Sequence, residues 1–263
     1  MNTALHLFLT VSLLAAPSPD PARKALTTLV AKIQKADYEG DRNTLASLAP
    51  ALDPYVSAGP LASRALYWRG FALWRRAMNG FNENADPKDL ERDLTAAAKD
   101  FAGAAEKDAG FADARPAAAS CVFSLAYLAR EDAPRRQEYV TRGLAWMAEG
   151  TKLDADNPRL LWIQGGGEWY VAAGKPEGQA KALRTYERAL EIARRLRGSV
   201  KHPLDPSWGE PELLMSLAWS HLNGVNRDLE AAESNAKAAL AIVPNWHYVR
   251  DILLPQIRTA KKP

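Results

Sequence analysis

The chain has 263 residues, of which 47% are hydrophobic and 25% are charged, and its formal net charge is +3. These values are typical of a folded protein and exclude a disordered chain. Lys and Arg alternate with Asp and Glu as on solvated helix faces, and the net charge is small, so we expect no nucleic-acid partner.

The first predicted element is a signal peptide at residues 1–18. Leu5 begins an apolar run with the length of a signal-peptide core, and Ala15 and Ala16 are small enough for cleavage. No Lys or Arg precedes the run, so the alternative is a buried N-terminal helix. The run is shorter than the roughly 20 residues of a membrane span, and no cysteine directly follows it to carry a lipid. We therefore expect a periplasmic or secreted protein with no transmembrane segment in the mature chain.

The remainder of the chain predicts one helix after another. Apolar residues recur at three- and four-residue spacing, as at Leu26, Leu29, Val30 and Ile33, which is typical of amphipathic helices. Pro or Gly beside Asp or Asn interrupts these stripes at regular intervals and marks the turns. We expect antiparallel helical hairpins, of which the first is an N-terminal hairpin at residues 22–57.

Two spacings of small residues alternate along the middle of the chain. One runs large, small, large at intervals of four and three residues, at Leu66-Gly70-Leu73, Trp162-Gly166-Trp169 and Leu214-Ala218-His221. The other places two small residues seven positions apart around a third residue, at Ala97-Phe101-Ala104, Gly143-Met147-Gly150, Ala182-Tyr186-Ala189 and Ala232-Ala236-Ala239. Small residues at such positions let two helix axes approach closely.

With these spacings the chain resembles the tetratricopeptide-repeat (TPR) family, as four degenerate repeats over residues 60–244. The resemblance implies an all-α fold, built as a right-handed α-solenoid of antiparallel helical hairpins. It also implies that a protein or peptide partner binds on the concave face. Residues 245–263 are expected to form a C-terminal capping helix and tail. The repeats depart from the family pattern in unit length, most clearly at the loop from Gly198 to Gly209.

The sequence contains no recognisable catalytic or metal-binding pattern. The run Gly165-Gly166-Gly167 lacks the Lys-Ser/Thr of a phosphate loop, and no two histidines stand at zinc-site spacing. The single cysteine, Cys121, lies in an apolar stretch and is expected to be buried. We therefore predict a non-enzymatic protein without catalytic residues, metal or cofactor. Two carboxylates and a histidine converging in one pocket would favour an enzyme instead.

Clustered aromatic residues define the predicted binding site. Helical phase places arginines and aromatic rings together on the inner face of the first repeat, with two further rings extending that face. The predicted partner-binding residues are Arg64, Tyr67, Phe71, Trp74, Arg75, Asn79, Tyr170 and Trp219. Such side chains dominate binding energies, although rings at helical spacing also fill the gaps between helices. The alternative function is a periplasmic small-molecule carrier, or a transporter-associated ligand-binding protein, that encloses a small amphipathic ligand in an apolar pocket.

Overall fold

The computed structural model describes residues 19–57, 59–199 and 202–262, and every regular element within these ranges is helical. The prediction of an all-α fold is therefore confirmed. The predicted signal peptide, residues 1–18, lies outside the described residues. Among the helices of the described ranges, none is both long enough and apolar enough to cross a membrane.

The helices follow one another along the chain, and most are separated by short turns. Their bounds are α1 Pro19–Tyr38, α2 Arg42–Leu48, α3 Asp53–Val56, α4 Ala62–Asn82, α5 Pro87–Lys107, α6 Ala114–Leu128, α7 Ala133–Leu153, α8 Pro158–Ala172, α9 Pro176–Arg195, α10 Glu210–Asn223, α11 Leu229–Ile242 and α12 Leu254–Ala260. A 3-10 turn at Pro50–Leu52 precedes α3, and a π-helical turn at Tyr248–Leu253 precedes α12.

The sequence breaks at Asp-Pro, Asp-Ala-Pro and Asn-Pro correspond to helix starts. Asp86, Asp132 and Asn157 precede α5, α7 and α8, and each side chain accepts a hydrogen bond from a first-turn backbone N–H. A proline stands in the first turn of all three helices. Its missing N–H removes no helical hydrogen bond at that position, because first-turn N–H groups have no partner within the helix.

Consecutive helices pack as pairs, namely α4 with α5, α6 with α7, α8 with α9 and α10 with α11. The first pair is antiparallel, because Ser63 near the start of α4 donates from Oγ to the carbonyl of Ala104 near the end of α5 over 2.8 Å. Helix α5 also packs on α6, and α9 packs on α10, whereas α7 makes only a few contacts with α8. The pairs therefore stack in chain order, and the packing is thinnest between the second and third pairs.

Small residues allow the close approach of helices within a pair. Ala97 and Ala104 of α5 are fully buried. In the third pair, however, the close approach is at Gly165 rather than at the predicted Gly166. A Cβ added at Gly165 would lie 2.6 Å from Cε1 of the Tyr186 ring on α9, whereas Gly166 is exposed. The packing register of this repeat is thus one residue earlier than the sequence spacing indicates.

The buried apolar residues form two cores. The first joins α1, α2, α4, α5 and α6, and the second joins α8, α9, α10, α11 and the C-terminal elements. Tyr38, at the end of α1, reaches the second core. Its ring centroid lies 5.1 Å from that of Trp246, and its hydroxyl donates to Oε1 of Glu212 over 2.7 Å. Helix α1 therefore packs on α4 and also meets the C-terminal part of the chain.

The C-terminal segment differs from the single helix expected from residue 245. Pro255 has no N–H to donate to the carbonyl of Asp251, so a regular α-helix cannot continue through this point without losing a hydrogen bond. The chain forms the π-helical turn before Pro255 and returns to α-helix in α12. Apolar side chains of both pieces are nevertheless buried, including Val249 and Ile257.

Candidate functional site

Most of the predicted binding face on α4 is buried inside the protein. Tyr67 and Trp74 expose no surface, and Phe71 is 2% exposed. Arg75 and Asn79 are each 7% exposed. A partner cannot reach side chains at this depth, so the prediction that these five residues line an open groove is wrong.

The physical reason is that another segment of the same chain covers this face. We call this segment, His202–Trp208, the strap. Its Leu204 and Trp208 side chains are buried in the first core. The Trp208 ring centroid lies 5.8 Å from that of Phe71 and 5.7 Å from that of Trp74. The aromatic residues of α4 do share one face, as helical phase predicts, but that face is a wall of the core.

Side chains of α4 and α8 also hold the backbone of the strap. Nε1 of Trp68 donates to the carbonyl of Leu204 over 2.8 Å. Nη1 of Arg159 donates to the carbonyl of Trp208 over 2.8 Å. Leaving a buried carbonyl without a donor costs about 1–3 kcal/mol, so both contacts stabilise the bound strap.

Arg64, a further predicted binding residue, is also engaged within the molecule. Its Nε donates to Oδ1 of Asp205 in the strap over 2.7 Å, and its Nη1 donates to Oδ2 of Asp108 over 2.8 Å. The guanidinium carbon lies 3.6 Å from the centroid of the Phe111 ring. The hydrogen bond from Arg64 lowers the pKa of Asp108 below its ordinary value. Arg64 therefore links the start of α4, the end of α5 and the strap.

Arg75 and Asn79 connect α4 to α1. Nε of Arg75 donates to Oδ1 of Asp37 over 2.7 Å, and Nδ2 of Asn79 donates to the carbonyl of Asp37 over 3.1 Å. Burial raises the pKa of Asp37 even though Arg75 opposes the shift. The two residues satisfy a buried carboxylate, which is a structural role rather than partner binding.

The last two predicted residues lie at the surface. Tyr170 is 73% exposed and Trp219 is 37% exposed. Trp169 packs edge-on against Trp219 with ring centroids 5.7 Å apart. Val225, which is 56% exposed, follows Gly224, where an added Cβ would lie 3.3 Å from the Trp169 ring. We call Trp169, Tyr170, Trp219 and Val225 the aromatic patch.

Helix α8 also exposes bare backbone one turn before Tyr170. Gly166 and Gly167 are both exposed, and a Cβ added at Gly167 would have no neighbour within 4 Å. Glycine in a helix interior is less favourable than alanine by about 1 kcal/mol. Packing within the described part of the molecule therefore gives no reason for glycine at position 167.

Sequence reasoning missed Trp169, Val225 and Gly167 as surface features. Trp169 could have been recognised from its position seven residues after Trp162, since residues seven apart lie on one helix face. Trp162 donates from Nε1 to Oγ of Ser216 over 2.7 Å, which orients this face of α8 towards α10. Val225 and Gly167 carry no comparable local pattern.

The described residues contain little that would support chemistry. Within those ranges, no group of three or more His, Cys, Asp and Glu could hold a metal ion. Cys121 is fully buried as expected, and burial raises the pKa of its thiol well above the ordinary value. The buried carboxylates Asp37 and Glu212 lie in the packed interior rather than in a cleft.

The surface clefts of the described part of the chain include the following two. One, of about 420 Å³, lies at the start of α4 and is lined by polar side chains that include Arg64, Lys107, Asp108 and His202. The other is a shallow depression along the C-terminal helix.

No protein-family model, no curated protein and no solved structure matches this chain. The function is therefore inferred from the residues and contacts of the chain itself.

Proposed function

We propose that the chain is a non-enzymatic, TPR-like helical scaffold that binds a protein or peptide partner through the aromatic patch. Four successive helix pairs, stacked in chain order, support the proposal of a right-handed solenoid of TPR-like hairpins. The burial of Ala97, Ala104, Ala182 and Ala189 at the repeat positions supports it too.

The single observation that carries the binding proposal is the exposure of the aromatic patch. Exposed apolar side chains that lie together often mark a protein interaction site. Tyrosine and tryptophan are the residues most enriched among those that dominate binding energies. Tyr170 and Trp219 are exposed in this way, and Gln164 and Asn223 on the same two helices are polar and exposed. An apolar centre beside polar residues is typical of transient protein interfaces.

The exposed glycines extend the same surface. Gly166 and Gly167 leave the α8 backbone open to a close approach, one turn from Tyr170. A partner backbone that rests there gives these glycines a purpose that packing within the chain does not. The proposed interface therefore includes Gly167 as well as the aromatic patch.

The small-molecule carrier is the less favoured function. Such a carrier needs an enclosed apolar pocket. Neither described cleft has that character, because one is lined by Arg64, Lys107 and Asp108 and the other is shallow. A periplasmic or secreted location is proposed from the leader-like run at residues 1–18 alone.

The test is affinity capture with matched variants. Purified full chain, Tyr170→Ala and Tyr127→Ala are each immobilised and exposed to an extract of the source organism, and retained proteins are quantified by mass spectrometry. Tyr127 is a suitable control because it is 53% exposed at the end of α6, where its ring packs against Phe81 of α4. We expect a protein that is retained by the wild type and by Tyr127→Ala but is depleted at least about tenfold with Tyr170→Ala, since hot-spot truncations cost 2 kcal/mol or more. Equal retention by all three forms would contradict the proposal.

A further inference from the structure

The strap is held in the way that a recognition protein holds a peptide. Leu204 and Trp208 supply two buried apolar anchors. Donors from two different helices bind the carbonyls of these same residues. The indole Nε1 of Trp208 donates to the hydroxyl of Tyr67 over 3.0 Å, and Arg64 binds the carboxylate of Asp205. Side chains of α4 and α8 make all of these hydrogen bonds, and Nε2 of Gln34 on α1 also donates to Oγ of Ser207 over 3.3 Å.

The strap itself has little regular structure of its own. Within it, the backbone N–H of Asp205 donates to the carbonyl of His202 over 2.9 Å. The backbone N–H of Leu204 donates to Nδ1 of His202 over 3.2 Å. The remaining polar contacts described above are made with other elements, so the strap depends on the face that it covers.

The residues next to the strap favour its being a separate unit. The strap follows the end of α9 at Arg195 and precedes the start of α10 at Glu210. Gly198 and Gly209, with φ of 79° and 135°, bracket the strap and adopt backbone conformations that favour glycine. The backbone N–H of Gly209, which directly follows the strap, has its partner in α10, because it donates to Oε2 of Glu212 over 2.7 Å.

We infer that the face of α4 and α8 that the strap covers is a peptide-recognition site, which the chain fills with its own strap as an internal and exchangeable ligand. In the structure the strap occupies this site, and a free peptide segment with the same pattern of residues replaces it when the strap opens. That chemistry is an apolar residue, an acidic residue directly after it and a tryptophan three positions beyond the acid, as in Leu204, Asp205 and Trp208. This inference stands independently of the aromatic patch.

The covalent connection of the strap to the rest of the chain explains why the intact chain should bind such a peptide weakly. A short linker gives the strap an effective concentration in the millimolar range, and a free peptide competes with it. Apparent affinity falls in proportion to the fraction of molecules whose strap is open. Removing the anchors of the strap therefore exposes the site and raises the apparent affinity for a free strap peptide.

The experiment uses the full chain, a full-length variant with Leu204→Ser and Trp208→Ser, and a fluorescein-labelled peptide with the sequence of residues 202–209. Binding is followed by fluorescence anisotropy after far-ultraviolet circular dichroism has verified that the variant is helical. We expect the variant to bind the peptide at least on the order of 100-fold more tightly than the intact chain. Peptides that carry Asp205→Asn or Trp208→Ala should bind at least about tenfold more weakly. A helical variant that does not bind the peptide overturns the inference.

If the variant fails to fold, a second measurement on the intact chain tests the inference. Hydrogen exchange of the Trp68 and Trp208 indole N–H groups is measured by NMR in the intact chain, beside the backbone amides at the centre of α4. Both indoles donate to groups across the strap interface. If the strap opens as a separate unit, the indoles exchange at least about tenfold faster than the α4 amides. Equal protection shows that the strap opens only with global unfolding, and it overturns the inference.

Discussion

The neighbouring glycines Gly165 and Gly167 should respond in opposite directions to the same substitution. Both lie in the interior of α8, where replacing glycine with alanine favours the helix by about 1 kcal/mol. At position 167 the added methyl group meets nothing within 4 Å, so the full gain is expected. At position 165 it would lie 2.6, 2.8 and 3.0 Å from three carbons of the Tyr186 ring. Tyr186 is buried and cannot move aside freely.

The direction of the stability change at Gly165 follows from these magnitudes. Forcing extra atoms into a packed core costs about 1–3 kcal/mol, which outweighs the gain in helix propensity over most of that range. We expect Gly167→Ala to raise the free energy of unfolding by about 0.5–1 kcal/mol. We expect Gly165→Ala to lower it by up to about 2 kcal/mol, which is the packing cost less the gain in helix propensity. Urea unfolding followed by circular dichroism measures both. A shift of both variants in the same direction would refute the described packing of α8 on α9.

Three further perturbations test the buried contacts. Trp208→Ala should lower the unfolding free energy by about 3–5 kcal/mol, whereas Tyr170→Ala should change it by less than about 0.5 kcal/mol. Thermal melts measure both variants, and equal shifts of their melting temperatures would contradict the burial of the strap. Arg75→Ala should cost about 3–5 kcal/mol because it leaves the Asp37 carboxylate buried without its partner, and adding Asp37→Asn should restore part of that loss in urea titrations. Burial raises the pKa of Glu212 above its ordinary value of 4.5, so this group contributes stability that is fully present below pH 4.5 and is lost as pH rises through its folded pKa. The unfolding free energy of the wild type relative to Glu212→Gln should therefore fall as pH rises above about 4.5, and a constant difference would contradict the raised pKa.

Local sequence pattern was sufficient for the helices and for much of their packing. Apolar spacing and Pro-linked breaks depend on neighbouring residues, and each acts within one turn of the helix that it defines. The small residues of the second helices, such as Ala182 and Ala189, are buried as their seven-residue spacing indicates. The one-residue error at Gly166 arose because three successive glycines leave the register of the close approach undetermined.

The strap could not be predicted in the same way. Its contact with Arg64 joins residues 141 positions apart, and no periodic pattern relates two such positions. The only local sign was a pair of apolar residues, Leu204 and Trp208, in a strap whose other residues are polar or proline. Helical phase therefore placed the aromatic residues of α4 on one face correctly, but the fold shows that the strap covers this face as part of the core.

The most direct test of the proposed function is site-specific photo-crosslinking at the aromatic patch. A photoreactive phenylalanine replaces Tyr170 in one form of the full chain and Tyr127 in another, and both forms are irradiated in an extract of the source organism. We predict a discrete crosslinked partner from position 170 that is missing from position 127 and is lost when Trp219→Ala is added. Crosslinks of equal yield and composition from the two positions, or none from position 170, would contradict a partner-binding role for this surface.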